Sequence, residues 1–293
     1  MTVVNDAIIL AGGMGTRMLP ASLYAPKEVL PLLDTPLINH LIWEAELAGV
    51  RRIHLVLSQK KVRYLEDFLK SKIIHGSDIR RELPRHALML GSGRAEVIPH
   101  VQKTPGGIGN AMSVVGDYVD GPFLVLLGDM LVLDDVELTE VPGPNSSSRA
   151  SKTIVSTFEQ KGLPCIGAIA VDPDDVSRYG IVVRDGHEVK KIVEKPLTAD
   201  EYGNLGLCGR YVFPAGAMDL LKKKSIVGHG ELQSIRLLNH YIKQEGLNLV
   251  EFENSIVYDG GNPISWLKAQ IDHGLRRRDV ADDFEKWLRE KLS

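Results

Sequence analysis

The alternation of short, fully apolar segments with segments of helical periodicity is the feature that most constrains the fold. The first apolar run, Val3 to Leu10, is β-branched and ends at Ala11-Gly12-Gly13, the pattern of a buried strand that enters a tight loop. A helical segment, Asn39 to Gly49, and a second apolar run, Ile53 to Leu57, follow it. This order of strand, helix and strand predicts a parallel sheet with helices on both faces.

The same alternation continues as far as Leu127. The pattern predicts helices at Val62 to Leu69 and Asn110 to Val115, and strands at Ala95 to Pro99 and Phe123 to Leu127. The segment Pro142 to Ser151, PGPNSSSRAS, has no periodicity and is predicted to be an exposed loop. We therefore expect an α/β protein.

The second half of the chain has a different character. Tyr179 to Val183 and Glu188 to Val193 flank Asp185-Gly186, a dipeptide suited to a type I′ hairpin, so we expect an antiparallel strand pair at the edge of the main sheet. The remaining predicted elements are a strand at Gly209 to Phe213, helices at Ala215 to Lys223 and Glu231 to Lys243, a strand near Leu249 to Phe252, and a helix from Pro263.

The end of the chain is predicted to be helical and amphipathic. One face of the last helix carries an apolar stripe typical of a packing surface or a subunit contact: Val280, Phe284, Trp287, Leu288 and Leu292. A chain of 293 residues can form one domain or two. We predict one domain over residues 1–293, with residues 263–293 as a C-terminal helical extension, and a homo-oligomer stays open.

Composition excludes several classes of partner. The net charge of −3, spread along the chain, provides no basic stripe for nucleic acid. The N-terminus has no basic region, and no apolar run approaches the ~20 residues that cross a bilayer. Cys165 and Cys208 lie far apart and outside any zinc-ligand spacing, which fits a reducing compartment. We expect a soluble, cytoplasmic protein that binds neither nucleic acid nor membrane.

A glycine-rich loop, LAGGMGTR, follows the first predicted strand at residues 10–17. Its glycines allow backbone N–H groups to approach a polyphosphate. Arg17 and Lys27 add two cations that suit a triphosphate, although a glycine-rich turn with surface charges is an alternative. The loop lacks the Lys-Ser/Thr of a Walker A sequence, and Met18 replaces the third glycine of a dinucleotide fingerprint. A dinucleotide-dependent oxidoreductase is therefore disfavoured.

An aspartate, Asp129, stands at the end of the predicted strand Phe123 to Leu127. Open α/β sheets bind their ligands at this edge, and a carboxylate there is a natural ligand for Mg²⁺. A turn residue or helix cap is the alternative interpretation.

Residues 10 to 38, LAGGMGTRMLPASLYAPKEVLPLLDTPLI, resemble the nucleotide-sugar pyrophosphorylase family, most closely its UTP–glucose-1-phosphate uridylyltransferase branch. The resemblance continues in order through almost the whole chain. It implies a Rossmann-like three-layer α/β/α fold with a mixed, mostly parallel central sheet and a small antiparallel sheet at the sugar side. The glycine loop would then bind the nucleotide through Ala11, Gly12, Gly13, Gly15 and Thr16.

Later segments resemble the family's base-reading and metal sites. Gln102 and Gly107, in QKTPGGIGN, would bind the pyrimidine edge, because an amide can donate and accept hydrogen bonds at once. Asp259, in YDGGNP, would be a second Mg²⁺ ligand beside Asp129.

The sugar site is implied in the same way. Glu194 would accept hydrogen bonds from sugar hydroxyls, and Lys195 would hold the sugar phosphate. Gly180 and Asn204 would line the sugar ring. With Arg17 and Lys27, Lys195 completes a set of three cations for two anionic substrates.

The resemblance implies a Mg²⁺-dependent transfer of a nucleotidyl group from UTP to a sugar 1-phosphate, most closely glucose 1-phosphate, by in-line attack. The family pattern is broken at Leu23, Val101, Asn110 and Met130. These departures leave dTTP or an N-acetylhexosamine 1-phosphate open as substrates. A binding homologue that senses nucleotide sugars without turnover is a further alternative.

Overall fold

The computed structural model describes residues 3–62, 64, 89–104, 106–135, 138, 142–222 and 232–293. Within these residues the strands are β1 (Asp6–Ala11), β2 (Pro31–Leu32), β3 (Thr35–Pro36), β4 (Arg52–Ser58), β5 (Glu96–Gln102), β6 (Phe123–Leu127), β7 (Met130–Asp134), β8 (Cys165–Ala170), β9 (Gly180–Asp185), β10 (Glu188–Glu194), β11 (Leu205–Phe213), β12 (Asn248–Glu251) and β13 (Ser255–Asp259). The helices are α1 (Ala21–Tyr24), α2 (Leu37–Leu47), α3 (Gly107–Ser113), α4 (Ala150–Lys161), α5 (Ala217–Lys222), α6 (Leu232–Gln244), α7 (Pro263–Arg276) and α8 (Ala281–Leu292).

The central sheet has the strand order β10-β9-β11-β6-β1-β4-β5, and β8 and β12 extend it from β11. Its centre is parallel, because β1 pairs in parallel with both β4 and β6, and β4 pairs in parallel with β5. Antiparallel pairing begins at β11, which runs against β6, β8 and β9. The predicted α/β fold with a mixed, mostly parallel central sheet is confirmed.

Two apolar cores explain why the central strands are continuously apolar. Successive residues of β1 point to opposite faces of the sheet, so Ile8 belongs to one core and Ile9 to the other. Helices α3, α5 and α6 cover the Ile8 core, and α2 and α4 cover the Ile9 core. The result is the predicted arrangement of helix, sheet and helix.

Among the described strands, two short antiparallel sheets lie outside the central one. In the first, β13 pairs with β7 and places Asp259 opposite Met130. In the second, β2 pairs with β3. The hairpin of β9 and β10 forms the predicted antiparallel edge of the main sheet, and Gly186 adopts the positive φ, 56°, that its turn requires.

The prediction of an exposed loop at Pro142 to Ser151 is wrong. Pro144–Ser146 form a short 3-10 helix and α4 begins at Ala150, with Ser151 completely buried. The serine hydroxyl donates a 2.5 Å hydrogen bond to Oε1 of Glu44, which allows this polar residue to enter the interior. The composition of the segment is typical of a loop, but the carboxylate of Glu44, which is distant in sequence, allows Ser151 to be buried.

Other differences concern the lengths of elements. Strand β11 begins at Leu205, earlier than predicted, and its register shifts between Leu207 and Tyr211, where Gly209 has a φ of 73°. The predicted helix Val62 to Leu69 lies outside the described residues except for Val62 and Tyr64. Lys223 and Glu231, at the ends of two further predicted helices, also lie outside them.

The predicted C-terminal helices are present as α7 and α8. Phe284 stacks on Trp287, with ring centroids 6.0 Å apart, and packs against Gly274 of α7, where an added Cβ would lie 3.1 Å from the ring. Trp287 and Leu292 stay exposed, so only part of the predicted stripe packs within the chain.

The single domain, its helical extension and the homo-oligomer stay predictions. In the described part of the chain, every helix is too short or too polar to cross a membrane.

Candidate active site

The glycine loop leaves β1 at the carboxyl edge of the sheet, as predicted. Gly15 has a φ of 68°, in the left-handed region that favours glycine. A Cβ at Gly12 would lie 2.7 Å from Oε1 of Gln102, and a Cβ at Gly13 would lie 3.8 Å from Nζ of Lys27. The structure therefore brings the loop together with Gln102 and Lys27.

Asp129 is paired with Lys27. The Lys27 ammonium donates to Oδ2 of Asp129 over 2.5 Å. Burial acts to raise the pKa of Asp129, but the charge of Lys27 and this hydrogen bond outweigh burial and hold that pKa below its usual value. A Cβ at Gly128 would lie 2.5 Å from the carbonyl oxygen of Leu10, so glycine allows the end of β6 to approach β1. The carboxylate is therefore ionised and held at the loop.

Asp259 is paired with Arg17, 242 residues earlier in the chain. The guanidinium donates two hydrogen bonds to the carboxylate, over 2.6 and 3.3 Å. The pairing of β13 with β7 brings Asp259 beside Asp129, and the N–H of Gly260 donates to the carbonyl oxygen of Asp129 over 2.7 Å. The two predicted metal ligands therefore meet in space, each beside a predicted catalytic cation.

The predicted sugar-site residues Gly180, Glu194 and Lys195 line the same cleft as Arg17 and the two aspartates, and its volume is ≈ 370 Å³. Glu194 lies opposite Gly180 in the pairing of β10 with β9. Nζ of Lys195 lies 3.2 Å from Oε1 of Glu194. The backbone of Lys195 has a φ of 45°, and its N–H donates to the carbonyl oxygen of Tyr179 over 3.0 Å.

Three further predicted site residues have different surroundings. Gln102 is buried at the end of β5, and its Nε2 donates to Oδ1 of Asn110 over 2.8 Å. Gly107 begins α3 with a φ of 79°. Asn204 is absent from the described lining of the cleft, and its amide donates instead to the carbonyl oxygen of Val171 over 2.6 Å. The sugar contact of Asn204 stays a prediction.

Sequence reasoning missed a buried ion pair behind the loop. The ammonium of Lys61 donates to both carboxylate oxygens of Glu28, over 2.8 and 2.7 Å, and to the carbonyl oxygen of Ala11 over 2.8 Å. Burial raises the pKa of Glu28, although Lys61 and Lys27 oppose the rise, and burial lowers the pKa of Lys61. The position of Glu28 directly after Lys27 could have indicated a role, but nothing local indicates that Lys61 is its partner.

Sequence reasoning also missed the apolar part of the cleft. Its members come from three separate strands and two helices: Ile108, Leu127, Met130, Leu207, Tyr211 and Ile235. Such walls exclude water and strengthen the electrostatic interactions of the charged groups beside them. The cleft can hold two anionic groups against a set of cations.

The chain is similar to known proteins over nearly its whole length. The profile of the nucleotidyl transferase family matches residues 6–273. A UTP–glucose-1-phosphate uridylyltransferase of Staphylococcus epidermidis is 28% identical over 309 aligned residues, covering 99% of this chain and 99% of the relative.

Solved structures of Acinetobacter baumannii proteins have the same fold. A UDP-glucose pyrophosphorylase is 25% identical with a TM-score of 0.82, and a UTP-bound UGPase is 26% identical with a TM-score of 0.81. Each alignment covers 98% of this chain and 99% of the other. The site geometry and the family match agree, and this chain is an enzyme that belongs to the nucleotidyl transferase family.

Proposed function

We propose that this enzyme joins UTP to glucose 1-phosphate, forms UDP-glucose and releases pyrophosphate, with Mg²⁺ as its metal ion. The observation that carries the proposal is the meeting of two cation–carboxylate pairs, Lys27–Asp129 and Arg17–Asp259, at one cleft. The cleft is lined by both aspartates, by Arg17 and by Lys195. The names of the relatives, UTP–glucose-1-phosphate uridylyltransferase and UTP-bound UGPase, support the choice of substrates.

The reaction is an in-line displacement at the α-phosphorus of UTP. A phosphate oxygen of the sugar 1-phosphate forms the new P–O bond, while the bond to the oxygen that bridges the α- and β-phosphates breaks. The electron pair of the broken bond leaves with pyrophosphate. Both reactants are anionic and the attacking oxygen is already ionised, so positioning and charge neutralisation are the main tasks of the protein.

Three cations divide this task. Arg17 is half exposed at the loop and stabilises the charge of the departing pyrophosphate. Lys27 lies beside the glycine loop and binds the phosphates of the nucleotide. Lys195 binds the phosphate of the sugar, because it lines the cleft next to Glu194, which would accept hydrogen bonds from the sugar hydroxyls.

Asp129 and Asp259 fit the metal. Both are carboxylates at strand ends in one cleft, and a hard cation such as Mg²⁺ takes one or two carboxylates together with phosphate oxygens. When bound, the ion would neutralise charge on the phosphate oxygens. In the structure the two carboxylates pair with Lys27 and Arg17. Bound phosphates would attract these two cations and leave the carboxylates for the metal ion.

The remaining predicted residues bind the base and the sugar. Gln102 and Gly107 would bind the uracil edge, and the loop residues from Ala11 to Thr16 would bind the triphosphate. Gly180 leaves room beside Glu194, since a Cβ there would lie 3.0 Å from Leu207 and 3.4 Å from the Glu194 carboxylate. Asn204 would contribute to the sugar site.

Release of pyrophosphate from a matrix of nucleotides and sugar 1-phosphates tests the proposal. We expect the highest kcat/KM with UTP, glucose 1-phosphate and Mg²⁺. The matrix includes dTTP and N-acetylhexosamine 1-phosphates, which are the alternative substrates. Binding of a nucleotide sugar with no turnover of any pair would show instead a sensing protein and would refute the proposal.

The variant Asp129→Asn tests the metal assignment. We expect kcat/KM to fall by roughly 10²–10³-fold or more, because the charge that holds the metal and Lys27 is lost. Mn²⁺ binding in the presence of UTP, followed by electron paramagnetic resonance, should weaken in parallel. Asp174→Asn makes the same chemical change at an exposed position and should leave both measurements unchanged. Unaltered Mn²⁺ binding by Asp129→Asn would contradict the assignment.

A further inference from the structure

Gln102 has a neighbour that restricts its amide. A primary amide can present either its carbonyl oxygen or its NH₂ group to a ligand, and the two orientations have nearly the same shape. The Nε2 of Gln102 donates to Oδ1 of Asn110 over 2.8 Å. Its Oε1 lies on the side of the glycine loop, 2.7 Å from the position of a Cβ at Gly12. The carbonyl end of the amide therefore faces the nucleotide loop, away from Asn110.

Asn110 is itself held in place by packing. A Cβ at Gly106 would lie 2.7 Å from Cγ and 2.8 Å from Cβ of Asn110. The Asn110 side chain therefore occupies the space that a side chain at Gly106 would need. Asn110 is exposed, whereas Gln102 is buried, so Asn110 reaches the amide from the solvent side of the site.

We infer that Asn110 is a positioning residue that orients the Gln102 amide and makes the site select bases with an N3–H group. This inference rests on the proposed function, in which Gln102 binds the base edge. Uracil and thymine carry a hydrogen at N3, which a carbonyl oxygen accepts. Cytosine carries a lone pair at N3, which a carbonyl oxygen repels and an NH₂ group would bind. If the Gln102 amide could rotate freely between its two orientations, it could bind either base.

Equilibrium titrations of UTP and CTP, with Mg²⁺ and without a sugar phosphate, measure this selection. The two nucleotides carry the same triphosphate, so the ratio of their dissociation constants reports the base alone. In Asn110→Leu, the loss of one hydrogen bond should lower the preference for UTP by roughly 2- to 10-fold. The loss should come partly from tighter CTP binding, which a general disturbance of the site would not produce.

Two further variants separate orientation from a structural effect. Asn110→Asp keeps the acceptor for Nε2, so its preference for UTP should stay within about twofold of the original. Gly106→Ala keeps Asn110, but its added Cβ would occupy the space of the Asn110 side chain. We therefore expect it to lower the preference for UTP, as Asn110→Leu does. The φ of −142° at Gly106 is negative, so a left-handed backbone does not require glycine there. Asn254→Leu makes the same chemical change as Asn110→Leu at an exposed position away from Gln102 and is the matched control.

The outcomes distinguish this inference from the proposed function. Failure of the original protein to bind UTP would remove the proposed function itself. A clear preference for UTP that Asn110→Leu leaves unchanged would overturn the inference alone. A reversal of the preference in Asn110→Asp would also overturn it, because it would show that Gln102 presents its NH₂ group to the base.

Discussion

The buried ion pair between α2 and β11 and the ion pairs of the cleft differ in how completely their carboxylates are bonded. The Glu44 carboxylate accepts hydrogen bonds from Nε and Nη2 of Arg210, each over 2.7 Å, and from the hydroxyl of Ser151 over 2.5 Å. The side chains of Glu44 and Arg210 are 3% and 0% exposed. In the cleft, the Asp129 carboxylate accepts a hydrogen bond from Lys27, and its side chain is 30% exposed. Asp259 accepts hydrogen bonds from Arg17, whose side chain is 56% exposed.

The difference separates a structural role from a functional one. The Glu44 carboxylate is saturated and shielded from water, so its partner cannot be exchanged, and it joins α2, β11 and the start of α4. In the cleft, Asp129 and Arg17 have exposed surface that a metal ion or phosphate oxygens could reach, whereas the side chains of Lys27 and Asp259 are only 7% and 14% exposed. An ion pair that is open to solvent adds little to stability, so its partners are available for ligands.

The largest expected effect is on stability, at Glu44. Glu44→Gln leaves the Arg210 guanidinium buried without a counter-charge, so the free energy of unfolding in urea should fall by about 3–5 kcal/mol. The double variant Glu44→Leu with Arg210→Met removes both charges and should recover much of that loss. A loss below about 1 kcal/mol in Glu44→Gln would contradict the structural role of the Glu44–Arg210 pair.

The next expected effect is on catalysis, at Arg17. Arg17→Ala should lower kcat/KM by roughly 10²–10³-fold, because a cation on the leaving pyrophosphate is lost. The urea midpoint should change little, since the Arg17 side chain is more than half exposed. Arg289→Ala removes a similarly exposed partner of a carboxylate, Glu285, on α8 and should alter neither quantity. A large loss of stability in Arg17→Ala would contradict the functional assignment of this pair.

The smallest expected effect concerns His40 and His273, which have buried ring nitrogens with no hydrogen-bond partner among the described residues. Burial and then the neighbouring His273 lower the pKa of His40 to about 3, and burial and then Arg277 and Arg276 lower the pKa of His273 to about 4. The unfolded chain takes up protons near pH 6.5, while the folded chain does so only near these lower values. Stability should therefore be lost as the pH falls from about 6.5 towards 4.

A pH series on a variant measures this effect. Between pH 7 and 5, each histidine should contribute roughly 2 kcal/mol to the loss of unfolding free energy. His273→Phe keeps an aromatic ring against His40 and should reduce the loss by about that amount, because it removes one titrating group. An identical pH dependence in the variant would contradict the assignment of the lowered pKa to His273.

Much of the fold could be predicted because its causes are local. Alternating apolar runs and helical periods predicted the strands and helices around the glycine loop, and Asp185-Gly186 predicted the hairpin correctly. The segment Pro142 to Ser151 could not be predicted, since Ser151 is buried only because Glu44 and Arg210 accommodate it. Its composition alone is that of a loop.

Charged residues of the candidate site were named from the sequence, but their pairings were not. The two aspartates, Arg17 and Lys27 were named from the sequence, yet which cation meets which carboxylate depends on the pairing of β13 with β7. Lys61 could not be found, because it reaches Glu28 and Ala11 only through packing at the end of β4.

The sequence by itself determined the succession of elements and the chemical inventory of the site. Side-chain periodicity and the φ preferences of glycine act over a few residues and can be read along the chain. Only the tertiary structure decided the partners, including Arg17 with Asp259, Lys61 with Glu28 and Asn110 with Gln102. The physical reason is that hydrogen bonds and ion pairs act over a few ångströms, and sheet order and packing decide which residues come that close.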